Sequence, residues 1–124
     1  MTGAIVFSWG APVRGREGKG LEVFSKAVER FEQLAKKGRI HGHKEYFAVT
    51  GDSGRASGFM IVEGQLDELL KLQGEEEQLR LLTEATQITE NFNIQVFSGG
   101  SDRAVQERMT QYVEVQQELG IIPS

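Results

Sequence analysis

The sequence has 124 residues, no cysteine and a formal net charge of −4 at pH 7. Without cysteine the chain cannot form disulfides, thiolate nucleophiles or cysteine-ligated zinc and iron–sulfur sites. Its longest basic run is Lys36-Lys37, which disfavours nucleic-acid binding because that function needs many cations to neutralise phosphates. No apolar run is long enough for a signal peptide or a membrane span, so we expect a cytoplasmic protein without membrane partners.

The first half of the chain predicts three strands and one helix. Residues 4–10, AIVFSWG, are β-branched and aromatic and end at a glycine, as is typical of a strand. A helix is predicted next, ending at Gly38 after two lysines. Its apolar positions recur every three or four residues: Leu21, Phe24, Val28, Phe31 and Ala35. Residues 40–50 and 56–63 predict two strands, which the glycine-rich turn GDSGR joins into a hairpin.

The second half predicts a broken helix, a strand and a final helix. Leucines at helical spacing run from Leu66 to Leu82 and are interrupted at Gly74, where we expect one helix to divide into two. Residues 91–98, NFNIQVFS, predict the fourth strand. Ser101 is the predicted N-cap of the last helix. The apolar stripe of that helix is Val105, Met109, Tyr112 and Val113, which we expect to be buried on its own sheet or across a dimer.

This order of elements is β-α-β-β-α-β plus a C-terminal helix, which predicts an α+β, ferredoxin-like domain over residues 1–124. The right-handed crossover rule places the first and third strands at the centre of a four-stranded antiparallel sheet. Two helices cover only one face of such a sheet, yet the strands carry apolar residues on both faces. The second face therefore predicts a homodimer, because a soluble monomer rarely leaves so large an apolar patch exposed.

The whole chain resembles the dimeric α/β-barrel superfamily. The likeness is carried by the first strand with its loop, IVFSWG and VRGREGKG, and by the segment GRIHGHKEYFAVTGDSGRASGFMIVEG. The broken helix LDELLKLQGEEEQLRLLTEA also resembles the leucine-rich segment usual in that superfamily. The sequence is most similar to its small actinobacterial-type members that have no assigned activity. The resemblance implies two sheets packed face to face in a homodimer. The superfamily also includes haem-degrading and cofactor-independent quinone-forming monooxygenases.

The motif His41-x-His43-x-Glu45 in the second strand has the composition of a metal site. Alternate residues on a strand point to one face, but their side chains lie about 6–7 Å apart, which is far for ligands of one ion. We therefore expect no metal site there. The alternatives are an edge strand made polar to prevent sheet-to-sheet aggregation, or polar side chains that face the mouth of the barrel.

Several aromatic residues are candidates for a ligand pocket between sheet and helices or inside the barrel. We take Trp9, His43 and Tyr46 as candidate catalytic residues, because histidine can act as an acid or base near neutral pH and tyrosine can donate a hydrogen bond. The candidate ligand-binding residues are His41, Glu45, Phe59 and Phe97. The alternative for the aromatic residues is a simple core.

These features predict a small homodimeric protein that binds a small apolar or aromatic molecule in the barrel, with no cofactor. One alternative is an enzyme like the cofactor-independent monooxygenases, acting on a quinol or aromatic substrate. Another is a protein-interaction or assembly module that uses the C-terminal helix.

Overall fold

The structure is a computed structural model that describes residues 1–124. It has four strands and four helices. The strands are β1 (Thr2–Trp9), β2 (Gly42–Phe47), β3 (Gly58–Gln65) and β4 (Asn93–Ser98). The helices are α1 (Glu17–Lys36), α2 (Leu66–Gln73), α3 (Glu76–Ile88) and α4 (Asp102–Glu118).

The strands form one antiparallel sheet in the order β2-β3-β1-β4. The first and third strands are central, as predicted, and the element order is that of the ferredoxin-like fold. Ile5 of β1 lies between Val62 of β3 and Val96 of β4. On the other side of β3, His43 of β2 is opposite Val62. These pairings fix which side chains share a face, because successive residues of a strand point to opposite sides.

The core lies between one face of the sheet and the helices α1 and α2. The deeply buried residues of this layer include Phe31 of α1, Leu69 and Leu72 of α2, and Ile5 and Val62 of the sheet. Phe7 and Phe31 are in contact, with ring centroids 5.6 Å apart. The odd-numbered positions of β1 and the even-numbered positions of β3 supply this core. Because side chains alternate along each strand, the remaining positions of these strands point to the opposite face of the sheet.

The opposite face of the sheet, called the open face below, is not covered by any element of the chain. Its apolar members are Ala4, Val6, Tyr46, Phe59, Ile61 and Phe97. Tyr46 stacks on Phe59 with ring centroids 4.9 Å apart, and both remain more than a third exposed. The open face therefore matches the predicted second apolar face and is uncovered in the single chain.

The predicted helix ends agree with the structure at three places. Gly38 follows α1 with φ +74°, a conformation that favours glycine. Gly74 separates α2 from α3. Ser101 caps α4, since its hydroxyl accepts a hydrogen bond from the Ala104 amide at 3.2 Å. None of the helices combines the length and the hydropathy that crossing a bilayer requires.

The apolar stripe of α4 is not buried on its own sheet. Ala104 is the buried residue of this helix, whereas Met109 and Tyr112 are 60% and 65% exposed. Of the two placements expected from the sequence, the structure excludes the first.

Candidate ligand-binding site

A cavity of about 300 Å³ lies between the helix-facing side of the sheet, α1 and α3. Most of its lining is hydrophobic, 13 of 19 residues. The sheet contributes Phe7, Trp9 and Phe47, and the helices contribute Phe24 and Leu82, among others. The cavity is thus within one chain, on the helix side of the sheet rather than on the open face. Its size is at the lower end of the range typical of small-molecule sites.

An aromatic cluster forms one wall of this cavity. The rings of Trp9, Phe24 and Phe47 are in mutual contact, with centroid distances of 5.5–6.4 Å. Their planes are inclined by 55–67°, close to the edge-on geometry that aromatic pairs favour. Phe47 and Leu21 are 62% and 72% exposed, which places them at the mouth of the cavity. A ligand entering there would meet ring faces and edges first.

Gly58 of β3 gives the Trp9 indole its position. A Cβ at residue 58 would lie 2.9 Å from the indole ring and 2.6 Å from the backbone oxygen of Tyr46. Any larger residue would therefore displace the ring or the neighbouring strand. The glycine lets the indole lie against the sheet beside the cavity.

Few polar groups line the cavity. Glu17, in the first turn of α1, is the one ionisable side chain among the lining residues. The hydroxyl of Ser57 donates to the Ser53 carbonyl, and the hydroxyl of Thr89 donates to the Ala85 carbonyl at 2.9 Å. Both hydroxyl protons are thus engaged, and one Glu17 oxygen accepts a hydrogen bond from the Gly15 amide at 3.2 Å. The other Glu17 oxygen and the Trp9 indole N–H remain to orient a polar ligand atom.

His43 is not in this cavity and does not face the open side. Its side chain is 8% exposed and lies between β2 and α1, where its ring packs against Phe31. The Nε2 atom is 2.7 Å from a Glu32 carboxylate oxygen, and the Nδ1 atom is hydrogen-bonded to Glu45. The arrangement joins the edge strand to α1 through two carboxylates. Phe31 separates the imidazole from the cavity, because Phe31 is itself a lining residue.

The structure does not bring Trp9, His43 and Tyr46 together. Trp9 and His43 are on the helix-facing side, whereas Tyr46 is on the open face beside Phe59. The physical reason is strand alternation: positions 43 and 46 differ by an odd number and must point to opposite faces. The expectation that these three residues share one pocket is therefore corrected.

The four candidate ligand-binding residues are also dispersed. Phe59 and Phe97 are on the open face, and Glu45 is bonded to His43 on the opposite face. His41 precedes β2 and is exposed. No cluster of three or more histidine or acidic side chains has a geometry suited to a metal ion.

Sequence reasoning identified Trp9 but missed most of the cavity. Phe24 and Leu82 belong to the apolar stripes of the predicted helices, and such stripes usually pack into a filled core. In the structure both residues line the cavity. Small residues on the helices, such as Gly20 and Ala85, leave space that larger side chains would fill. Gly20 was the available signal, because a glycine inside a helix is costly and often has a packing reason.

No protein-family model matches this sequence, and no curated protein matches it. Several solved structures are similar in fold. A mutant form of SnoaB from Streptomyces nogalater, a cofactor-independent oxygenase, superposes with a TM-score of 0.61. That match has 14% identity and covers 81% of this chain and 94% of SnoaB.

Two Bacteroides proteins are also similar. A dimeric protein of unknown function with a ferredoxin-like fold from Bacteroides fragilis gives a TM-score of 0.57 at 12% identity, covering 77% of this chain and 93% of its own. A protein from Bacteroides thetaiotaomicron, described as a possible oxidoreductase, gives 0.53 at 13% identity, covering 77% and 94%. This chain has a ferredoxin-like fold, as the Bacteroides fragilis protein does. At such low identity, the likeness concerns the fold alone.

Proposed function

We propose that the protein binds a small, mainly aromatic molecule in the cavity between the sheet and the helices. The observation that carries this proposal is the cavity itself, about 300 Å³ of space with a largely hydrophobic lining. The mouth at Phe47 and Leu21 opens this space to solvent, so its apolar lining is in contact with water when no ligand is bound. A ligand that fills the space removes this apolar surface from water and packs against the lining side chains.

The lining also selects the ligand by charge. Glu17 carries the one ionisable group of the lining, and it is acidic. The whole chain has a net charge of −4. A carboxylate or phosphate ligand would find no cation among the lining residues. Neutral aromatic molecules, or aromatic amines whose cation faces Glu17, fit both the rings and the charge.

The single tryptophan of the chain makes this proposal directly testable, because Trp9 is part of the cavity wall. Titration with N-phenyl-1-naphthylamine, an uncharged aromatic probe, should quench Trp9 fluorescence and increase the emission of the probe. Ala27→Leu places a larger side chain in the cavity and should weaken binding about tenfold or more, since several apolar contacts are displaced.

Ala48→Leu is the matched control, because it adds the same side chain at an exposed position outside the cavity. It should leave the dissociation constant of the probe unchanged. No response of Trp9 to any neutral or cationic aromatic probe would contradict the proposal. Equal effects of the two leucine substitutions would also contradict it, since binding would then lie elsewhere.

We also propose that the protein is a homodimer joined through the open face. The apolar residues of that face remain partly exposed in the single chain. Its strand positions include one cation, Lys44, and one anion, Glu63, so two copies can meet without net repulsion. The Bacteroides fragilis protein of the same fold is dimeric, which supports a dimer here.

A second candidate function is cofactor-independent oxygenation of a quinol or phenolic aromatic substrate. Its support is the fold likeness to SnoaB together with a carboxylate, Glu17, beside an aromatic cavity. Glu17 would then serve as the base that takes a phenolic proton. Oxygen consumption with a panel of quinols tests this candidate, and Glu17→Gln should abolish any consumption while leaving binding of the neutral probe intact.

A further inference from the structure

One glycine of the cavity lining stands inside a helix without a packing reason. Gly20 belongs to α1, where its amide donates a hydrogen bond to the Arg16 carbonyl at 2.9 Å. A glycine within a helix is less stable than an alanine. A Cβ added at residue 20 would meet only the Cδ1 atom of Ile88, at 3.7 Å, which is an ordinary van der Waals contact. The folded chain would therefore accept an alanine at this position.

The other glycine of the lining, Gly10, is required by the chain itself. A Cβ at residue 10 would lie 2.3 Å from the backbone oxygen of Gly54 and 2.9 Å from that of Glu90. Gly20 differs because the space beside it belongs to the cavity, since both Gly20 and Ile88 are lining residues. The missing side chain leaves the backbone of α1 uncovered toward the cavity.

Gly20 interrupts a stripe of side chains along α1. Five lining residues of this helix recur at intervals of three and four and so share one face: Glu17, Gly20, Phe24, Ala27 and Phe31. Along the helix axis, Gly20 lies about 4.5 Å from Glu17 and about 6 Å from Phe24. The uncovered backbone is therefore bounded by a carboxylate on one side and an aromatic ring on the other.

The carboxylate of Glu17 has no cation of the chain paired with it. Its hydrogen bond comes from the Gly15 amide, at 3.2 Å, and it forms no ion pair. Two neighbouring cations are engaged elsewhere. Arg16 donates to a backbone carbonyl of α3 at 2.7 Å, and Lys19 pairs with Glu22 at 3.2 Å. A cationic group on a ligand can therefore act as the counter-ion of Glu17.

We infer that the ligand of the cavity is an arylalkylamine whose ring lies on the α1 backbone at Gly20 and whose ammonium group pairs with Glu17, an inference that rests on the ligand binding proposed above and deepens it. A flat ring can approach the backbone closely at Gly20, because no Cβ stands in the way. Phe24, on the far side, then contacts the ring of the ligand. A two-carbon link between ring and nitrogen spans about the one helical turn that separates Gly20 from Glu17.

The charge of the ligand is tested by competition against N-phenyl-1-naphthylamine. The competitors are 2-phenylethylamine and 2-phenylethanol, which share a ring and differ in charge. The wild type should bind the amine about tenfold tighter or more, and Glu17→Gln should remove this preference. Glu22→Gln is the matched control, because Glu22 is another exposed acid of α1 but does not line the cavity. It should retain the preference.

The two proposals fail in different ways. Equal affinity of the wild type for the amine and the alcohol, while N-phenyl-1-naphthylamine still binds, overturns the inference and leaves the proposed binding function standing. Loss of the preference in Glu22→Gln as well as in Glu17→Gln also overturns it, since the effect would then reflect overall charge. A chain that binds neither the probe nor the amine overturns both proposals.

The position of the ring is tested by Gly20→Ala. This variant should have a higher midpoint of urea unfolding, because alanine favours the helix and its Cβ meets no close neighbour. It should nevertheless bind 2-phenylethylamine about threefold more weakly or worse, since the methyl group occupies the place of the ring.

Gly18→Ala is the matched control for this variant. Gly18 is an exposed residue in the first turn of α1, outside the cavity, and an added Cβ there has nothing within 4 Å. The control should stabilise the fold without changing the affinity for the amine. A Gly20→Ala variant that binds the amine as tightly as the wild type does would overturn the inference.

Discussion

At the scale of single residues, His43 is informative because both of its ring nitrogens are engaged. Glu32 of α1 contacts one nitrogen and Glu45 of β2 contacts the other, while the ring packs on Phe31. An imidazole that is 8% exposed has lost most of its hydration, and these two carboxylates replace it. The role visible in the structure is to attach the edge strand β2 to α1.

We predict that His43→Ala lowers the free energy of unfolding by about 1–3 kcal/mol. The substitution removes two charge-assisted hydrogen bonds and leaves Glu45, which is 20% exposed, without its partner. Urea unfolding followed by circular dichroism measures the change. His41→Ala is the control, because His41 precedes β2, is exposed and does not contact Glu32 or Glu45.

A loss no greater for His43→Ala than for His41→Ala would show that the contacts with Glu32 and Glu45 do not stabilise the fold. Retained binding of the aromatic probe by a folded His43→Ala variant is also expected, since His43 does not line the cavity. The catalytic role suggested for His43 in the sequence stays a prediction until a reaction is found.

Residue-level prediction was limited by what alternation can say. The sequence placed His43 and Glu45 on one face correctly, because their spacing is even. It could not tell which face, since that depends on helices packed from elsewhere in the chain. The same parity would have separated His43 from Tyr46, so that error was avoidable.

At the scale of elements, Arg39 joins the end of α1 to the next two helices. Its guanidinium contacts Glu68 of α2 at 2.6 Å and Glu75, the N-cap of α3, at 2.8 Å. The hydrogen bond from Arg39 lowers the pKa of Glu75 and, with the bond to Glu68, raises the pKa of Arg39. The break at Gly74 therefore positions a carboxylate that fixes α3 relative to α1.

This contact predicts a specific pH dependence of stability. A carboxylate with a lowered pKa in the folded state stabilises the fold fully above its unfolded value, near 4.5, and loses that contribution as the pH falls through the folded value. Glu75→Gln should therefore be less stable than the wild type at pH 6, and the difference should shrink as the pH falls below about 4.5.

Urea unfolding of both proteins across this pH range measures the effect. Glu76→Gln is the control, because Glu76 is the next residue and makes no ion pair with Arg39. A difference between wild type and Glu75→Gln that stays constant down to pH 3 would contradict the assignment. It would mean that the glutamine substitution harms the fold for a reason unrelated to charge.

The elements and the helix ends at Gly38, Gly74 and Ser101 followed closely from the sequence, whereas the start of α1 and the cavity did not. Apolar periodicity and glycine positions located every strand and helix, including the break at Gly74. The helix α1 begins at Glu17, before the first apolar position at Leu21, because its first turn is polar and partly solvent-exposed. A periodic pattern identifies which side of a helix faces the core, but it does not show where two facing layers fail to touch.

At the scale of the whole molecule, the open face links the stability of the fold to the proposed association of two chains. One side of the sheet is packed by helices, and the other presents Tyr46, Phe59 and Phe97 to the surroundings. If a second copy covers this side, unfolding separates two chains as well as melting each one. Mass action then stabilises the folded dimer as the protein concentration rises.

We therefore predict that the midpoint of thermal unfolding increases with protein concentration. Each tenfold increase in concentration should stabilise the dimer by about 1.4 kcal/mol relative to two unfolded chains. Phe59→Glu should remove this dependence, because the new charge would be buried between the two sheets. Val49→Glu should retain it, since Val49 is 96% exposed in the β2–β3 turn and lies outside the open face. Differential scanning calorimetry over about two orders of magnitude in concentration measures the unfolding midpoint of all three proteins. A wild-type midpoint that does not change with concentration would show that the single chain is stable without a partner.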